Sequence, residues 1–182
     1  VPEDSRFDSL EALIEAAKAA PGEIRAGIQN MGSRTHLTPL QLQDQAEVEF
    51  KIVSYPGGAA PQKEALLNGE VDLALTSLGD FESLISAGDA RGLVEFTDVQ
   101  SESFPDVPPA TELGYDIQAG SFVILAAPAN TPDDAVTALE AAYQQAYDSE
   151  EFQNWLVDVG VTPNWLGTDE VEDWAEQTQD EL

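Results

Sequence analysis

The architecture of this chain follows from one segment, Ile52-Val53-Ser54-Tyr55-Pro56-Gly57-Gly58-Ala59-Ala60-Pro61-Gln62-Lys63. A β-rich run at residues 50–55 ends at a Pro-Gly-Gly turn, and a helical pattern follows at 60–68, with Pro61 where a first helical turn accepts proline. Gly57 and Gly58 lack a Cβ, so their backbone N–H groups can approach a ligand, and the helix behind them points its positive dipole end the same way. The segment predicts an anion-binding loop whose ligand is a carboxylate; a plain connection between strand and helix is the alternative.

A second strand and turn precede this segment. Residues 23–28 form a predicted strand that runs into a polar turn at 29–36 and then into a helix. Ser33 can act as the N-cap of that helix or offer its hydroxyl to a ligand, and Arg34 brings one of the few positive charges to the helix N-terminus. The turn is therefore a second candidate for binding an anion.

A third predicted strand, at residues 71–75, leads to Thr76 and Ser77 and to a helix that begins near Asp80. Hydroxyl groups at the carboxyl end of a strand suit the oxygens of a ligand, but Ser77 or Asp80 acting as a helix cap explains them equally well. Ligands of open parallel sheets collect beyond the carboxyl ends of the strands. We therefore expect the three loops to converge on one small, negatively charged molecule.

Strand and helix patterns alternate along the first half of the chain, which predicts an α/β architecture with a mostly parallel sheet flanked by helices. Residues 92–97 are a further predicted strand. The apolar run at 120–127 predicts the most buried strand of the chain, and three helical patterns follow, at 133–147, 150–159 and 170–179. The apolar faces of these helices need a sheet that this chain supplies only in part.

The composition of the chain excludes some classes of binding partner. The 182 residues include 35 acidic and seven basic ones, a formal charge of −28, and all the basic residues lie between Arg6 and Arg91. Such a surface repels nucleic acid and anionic lipid, and no apolar run approaches bilayer length, so we expect neither nucleic-acid binding nor membrane insertion. The dispersed acidity is typical of proteins from extreme halophiles, with a strongly acidic mesophilic protein as the alternative.

The sequence contains no complete pattern of catalytic residues. Ser33 and His36 lie three positions apart, but His36 is the one histidine and no acidic partner is assigned to it. The serine is not in a Gly-x-Ser-x-Gly elbow, and the sequence contains no phosphate loop, metal motif or cysteine. We expect a protein that binds its ligand without a cofactor and without changing it; an enzyme using Ser33 and His36 is the weaker alternative.

With these residues in view, the chain resembles the substrate-binding proteins of tripartite tricarboxylate transporters, the Bug-type periplasmic receptors. The order and spacing of several short segments carry the resemblance, namely Ala16-Ala17-Lys18 before Pro21-Gly22, Gly32-Ser33-Arg34-Thr35-His36-Leu37, Tyr55-Pro56-Gly57-Gly58, Leu67-Asn68-Gly69-Glu70-Val71-Asp72-Leu73, Ala87-Gly88 before Gly92-Leu93, Phe104-Pro105-Asp106-Val107-Pro108, Ala126-Ala127-Pro128-Ala129-Asn130-Thr131-Pro132 and Gly167-Thr168-Asp169-Glu170. These segments extend over nearly the whole chain.

The resemblance implies a two-lobed type II periplasmic-binding fold that closes on a small organic acid by a hinge motion. The residues expected to bind the ligand are Gly32, Ser33, Arg34, His36, Tyr55, Gly57, Gly58, Ala59, Thr76 and Ser77. The implied protein is an extracytoplasmic receptor that captures a dicarboxylate, a tricarboxylate or an acidic amino acid and delivers it to membrane permease subunits. The same fold can also serve as a ligand-sensing module in signalling.

The resemblance also implies that one lobe is incomplete, because family members are longer at the N-terminus. We expect residues 1–119 to form a complete second lobe and 120–182 the C-terminal part of the first, with any signal sequence outside this chain. Pro56 stands where relatives often have lysine, and the pair Thr76 and Ser77 where they often have an acidic residue or an amide. Both departures bear on the choice of ligand.

Overall fold

Three short parallel strands form the sheet. In the computed structural model, which describes residues 1–97, 100–119, 123–158 and 163–180, these are β1 (Arg25–Ile28), β2 (Lys51–Ser54) and β3 (Leu73–Ala74). Their order across the sheet is β2-β1-β3, and Gly27 of β1 lies opposite Val53 on one side and Ala74 on the other. The central strand is therefore the one that leads into the turn at 29–36.

Seven α-helices accompany the strands in the described part of the chain. They are α1 (Leu10–Ala19), α2 (Arg34–Ala46), α3 (Ala59–Leu67), α4 (Leu78–Ala87), α5 (Asp133–Tyr147), α6 (Glu150–Asp158) and α7 (Thr168–Asp180), with a 3₁₀ turn at Ala110–Leu113. The chain divides into two units, Val1–Phe122 and Val123–Leu182, which are described separately. The assignment of residues 1–119 and 120–182 to two lobes stays a prediction.

The sheet of the first unit has helices on both faces, because its side chains alternate along each strand. On one face Ala26 and Ile28 pack with the buried side of α1, including Leu10 and Ala17. On the other, Phe81 of α4 joins a cluster formed mainly with α3. The unit is thus a three-layered α/β structure with its core against the sheet.

The prediction of a strand at residues 92–97 is wrong. Within the described residues, this segment makes one isolated bridge, between Glu95 and Pro109, and Phe96 accepts a hydrogen bond from the Ala119 amide. The neighbouring segment contains Pro108 and Pro109, which lack the N–H donors that a ladder requires. Extended backbone is therefore present there without a continuous strand.

The strand predicted at 120–127 is also wrong for the residues that can be assessed. Residues 120–122 lie outside the described part of the chain, and residues 123–127 form no strand. The side chain of Val123 is 93% exposed and that of Leu125 is 61% exposed. An apolar run becomes a strand only where a neighbour satisfies its backbone groups, and the described residues provide none here.

Aromatic side chains contact one another in the second unit. Tyr147 lies 6.0 Å from Phe152 and 5.3 Å from Trp165, measured between ring centroids. Leu156 is buried, but none of the described residues of α5 is. No helix in the described parts of either unit combines the length and the apolar character needed to cross a bilayer.

The last segment of the first unit is bound along α2. Gln45, near the end of the helix, exchanges two hydrogen bonds with the main chain of Asp116, of 2.9 and 3.0 Å. Arg34, the first residue of the helix, donates through Nη1 to the carbonyl oxygen of Gln118 at 2.9 Å. The segment therefore runs antiparallel to α2 and toward its N-terminus.

Candidate functional site

Three loops lie side by side at the carboxyl edge of the sheet. Each of the adjacent parallel strands β2, β1 and β3 ends there and leads into a short loop and then a helix, α3, α2 and α4 respectively. The N-termini of the three helices therefore lie at the same edge. Within the described residues, none of the three N-cap residues, Ser33, Gly58 and Ser77, makes a side-chain cap hydrogen bond to its helix.

The loop after β2 depends on glycine. Gly57 has φ of 113°, and Gly58, the N-cap of α3, has φ of 91° and ψ of −157°. The Gly58 conformation belongs to a region that is essentially restricted to glycine. No heavy atom of the described residues lies within 4 Å of where a Gly58 Cβ would be, so the backbone is open to an approaching group. The glycine loop predicted from the sequence is present, with α3 directly behind it.

The loop after β1 is held in shape by its own polar groups. The Gly32 N–H donates to Nδ1 of His36 at 3.1 Å, so the proton of a neutral imidazole resides on Nε2. Ser33 Oγ donates to the Asn30 carbonyl oxygen at 2.7 Å and lies 2.9 Å from Thr35 Oγ1. The side-chain hydrogen bonds of Ser33 and His36 described here thus connect each residue to a third group and not to each other. They do not form the pair of nucleophile and general base that catalysis by Ser33 would need.

The loop after β3 carries hydroxyls and one carboxylate. Thr76 Oγ1 donates to Oδ2 of Asp80 at 3.2 Å, and Asp80 is the acidic residue in the first turn of α4. The first turns of α2 and α3 contain no acidic residue. In a chain with a formal charge of −28, two of the three helix N-termini therefore keep their positive dipole ends uncompensated by first-turn carboxylates.

Gln29 links all three loops, and the sequence reasoning missed it. Its N–H donates to Thr35 Oγ1 at 3.0 Å, its carbonyl oxygen accepts from Ser54 Oγ at 3.1 Å, and its Nε2 donates to Thr76 Oγ1 at 3.3 Å. Its place directly after β1, the central strand, is the signal that could have identified it. Gln29 fixes the relative positions of the turns on either side.

Two predicted ligand residues direct their side chains to other partners. The Arg34 guanidinium donates to the Gln118 carbonyl, as described above, and the Tyr55 hydroxyl lies 3.4 Å from Oε2 of Glu70, in the turn before β3. Burial, and then the Glu70 carboxylate, raise the pKa of the Tyr55 hydroxyl. The hydroxyl of Tyr55 is therefore directed away from the glycine loop, although its backbone begins that loop.

The remaining predicted residues lie in the three loops or in the first turns of α2 and α3. Gly32, Gly57, Gly58 and Ala59 contribute backbone, and Ser33, His36, Thr76 and Ser77 contribute partly exposed side chains. Among the described residues, no group of three or more histidine, cysteine, aspartate or glutamate side chains could hold a metal ion. What this edge offers a ligand is amide and hydroxyl groups.

Two open depressions lie elsewhere on the first unit. One, of about 510 Å³, is lined by Lys18, Pro21 and residues 43–44 and 47–49, and the other, of about 410 Å³, by residues 3–4 and 88–89. Neither includes a residue of the three loops. The candidate site on this unit is thus located by the three loops and the helix N-termini behind them, and not by either depression.

Comparison with known proteins identifies the family of this chain. The family model described as "Tripartite tricarboxylate transporter family receptor" matches residues 1–181. The UPF0065 protein in the gbd 5′ region of Cupriavidus necator is 28% identical over 178 residues, 98% of this chain and 54% of its own length. Protein BugT of Bordetella pertussis is 28% identical over 179 residues, 93% of this chain and 55% of its own length. The chain thus spans about half the length of these curated relatives.

A solved structure extends the likeness to the fold. R. palustris Rpa4515 with adipate superimposes with a TM-score of 0.87 at 26% identity, covering 97% of this chain and 59% of the other. The predicted α/β, periplasmic-binding-protein-like fold with a mostly parallel sheet flanked by helices is confirmed, and the chain covers 59–65% of three such solved structures.

Proposed function

Since the chain belongs to the tripartite tricarboxylate transporter receptor family, we propose that it takes part in capturing a small organic carboxylate and in delivering it to the membrane permease subunits of such a transporter. The proposed ligands are dicarboxylates, tricarboxylates and acidic amino acids. The proposed location is extracytoplasmic, and the acidic composition supports a protein adapted to concentrated salt.

One observation carries this proposal: three helix N-termini without side-chain caps among the described residues lie at one edge of the parallel sheet. Each N-terminus directs backbone N–H groups toward this edge, and α2 and α3, which have no acidic residue in the first turn, each add roughly half a positive charge. A carboxylate has two oxygens that accept such donors, and it needs no arginine where amides and a dipole are available. The glycine backbone at Gly57 and Gly58 lets the ligand approach most closely at α3.

The ligand-binding residues proposed are those whose groups lie at this edge. The amides of Gly57, Gly58 and Ala59 and the hydroxyl of Ser77 are proposed to bind the carboxylate directly, and the hydroxyls of Ser33 and Thr76 to bind it by turning their hydrogens away from Asn30 and Asp80. His36 is proposed to hold the Gly32 amide in place through Nδ1. The ligand of the relative Rpa4515, adipate, is a dicarboxylate and supports the ligand class.

Isothermal titration of the full-length protein with malate, adipate, citrate and glutamate tests the proposal. We expect binding of at least one of them, measured both in dilute buffer and in molar salt, which screens the −28 charge. Absence of heat with all four under both conditions would refute the carboxylate receptor.

His36→Ala separates a receptor from an enzyme. Because His36 accepts from Gly32 within the loop, we expect the variant to bind the ligand several-fold more weakly. The carboxylate should be recovered unchanged after prolonged incubation with either protein. Conversion of the ligand by the wild type, lost in His36→Ala, would refute the receptor and establish catalysis.

A further inference from the structure

Gln62 is a fully buried polar side chain beneath the candidate site. It lies on α3, has 0% exposure, and donates through Nε2 to the carbonyl oxygens of Gly27 at 2.7 Å and Leu75 at 2.9 Å. An amide nitrogen carries two hydrogens, so each carbonyl oxygen receives one. Because both neighbours are acceptors, they also determine which end of the side chain is the NH₂ group.

These two carbonyl oxygens mark the end of the β1–β3 ladder. The pairs Ala26–Leu73 and Gly27–Ala74 are in register, and the Leu75 N–H still donates to the Gly27 carbonyl at 2.9 Å. In a continued parallel ladder, the next bond would run from the Gln29 N–H to the Leu75 carbonyl. The Gln29 N–H donates instead to Thr35 Oγ1, and the Leu75 carbonyl accepts from Gln62.

Side chains thus end the ladder where the two strands separate. Beyond this point, β1 continues into the loop with Gly32 and Ser33, and β3 into the loop with Thr76 and Ser77. Gln62 contacts the backbone of both strands at their last common position. The side chain of Gln62 thus joins the two strands at the point where their loops diverge.

The Oε1 atom of Gln62 shows that this residue is not there to fill the core. Among the described residues it has no hydrogen-bond partner, although it is buried. A buried acceptor without a donor is unfavourable, and methionine would fill a similar volume without that penalty. What the glutamine supplies is the pair of hydrogen bonds to Gly27 and Leu75.

We propose that Gln62 is a positioning residue of the binding site, whose amide sets the spacing between the loop after β1 and the loop after β3. The inference rests on the proposed function, since the spacing matters for a ligand that contacts both loops. Gln62 itself contacts no ligand and acts through the backbone of the two strands.

The test compares Gln62→Met with Ile24→Val in the full-length protein. Ile24 is buried, immediately precedes β1 and lies at the opposite edge of the sheet, so its variant perturbs the core and leaves the loops alone. Using whichever of malate, adipate, citrate and glutamate the wild type binds, we expect Gln62→Met to raise Kd at least tenfold and Ile24→Val by less than twofold. Backbone amide shifts of Gly32 and Ser33 should move in Gln62→Met alone.

Hydrogen exchange in the wild type covers the case of a variant that does not fold. Both side-chain NH₂ protons of Gln62 should exchange slowly, as expected for a buried amide with two acceptors; rapid exchange would overturn the proposal. Equal Kd for wild type and Gln62→Met would overturn this inference alone. A wild type that binds none of the four carboxylates would overturn the proposed function, and this inference with it.

Discussion

Replacing Gly58 by alanine probes the conformation on which the glycine loop depends. With φ of 91° and ψ of −157° and no atom of the described residues within 4 Å of the new Cβ, the penalty is conformational and not steric. Holding alanine in this region costs about 1–3 kcal/mol. If the loop keeps its shape, the first unit loses that amount of stability; if the loop relaxes, the ligand must restore it and affinity falls instead.

Two measurements on Gly58→Ala account for this free energy. Hydrogen exchange of the β1 amides reports the stability of the first unit, and titration with the bound carboxylate reports Kd. Since about 1.4 kcal/mol corresponds to tenfold, the two effects multiplied together should amount to roughly 5- to 150-fold. Gly88→Ala is the matched control, because Gly88 has φ of 73° and equally open surroundings but ends α4. It should speed exchange and leave Kd unchanged. Unchanged exchange and Kd in Gly58→Ala would refute the reasoning.

Three further predictions concern charge. The association rate of a dicarboxylate should rise with ionic strength, because the −28 charge repels an anion and salt screens it; a rate that falls in stopped-flow measurements would contradict this. Arg25 lowers the pKa of Asp72 by hydrogen bonding, so the stability that Asp72 contributes is complete above the unfolded pKa near 4 and is lost as the pH falls through the lower native value. Acid unfolding of Asp72→Asn should therefore depend less on pH, and an unchanged profile would be the contrary result. Burial raises the pKa of Glu95, because the charged carboxylate is less favourable in the native state. Glu95→Gln, which can still accept the hydrogen bond from the Ser101 N–H, should therefore unfold at a higher urea concentration than the wild type at pH 7, and the difference should be smaller at pH 4. Equal urea midpoints for the wild type and the variant at both pH values would contradict this prediction.

The sequence predicts elements well where local rules determine them. Proline and glycine specify the end of β2 and the start of α3, predicted at 60–68 and found at Ala59–Leu67. The pair of glycines also explains the positive φ values that the loop adopts, because few other residues tolerate them. The strand at 92–97 was predicted from its composition, but whether it forms depends on its neighbour, which is rich in proline.

The side chains of the site were harder to predict because their partners are distant in the chain. Tyr55 contacts a residue 15 positions away and Arg34 one 84 positions away, and neither partner belongs to a local motif. Gln29 and Gln62 act through backbone groups of strands whose adjacency only the tertiary structure reveals. Sequence patterns thus located the edge of the sheet and its loops, but not the hydrogen bonds that hold them.

The way in which the chain leaves the first unit also bears on ligand binding. Arg34 and Gln45 bind the main chain of the segment at 116–118 at opposite ends of α2, and that segment runs toward the end of the helix that belongs to the candidate site. A helix is stiff along its axis, so a displacement of its first turn carries both attachment points with it. The proposed site and the segment at 116–118 therefore share a single rigid element, which makes α2 a suitable place for a spectroscopic label in tests of the proposed ligand binding.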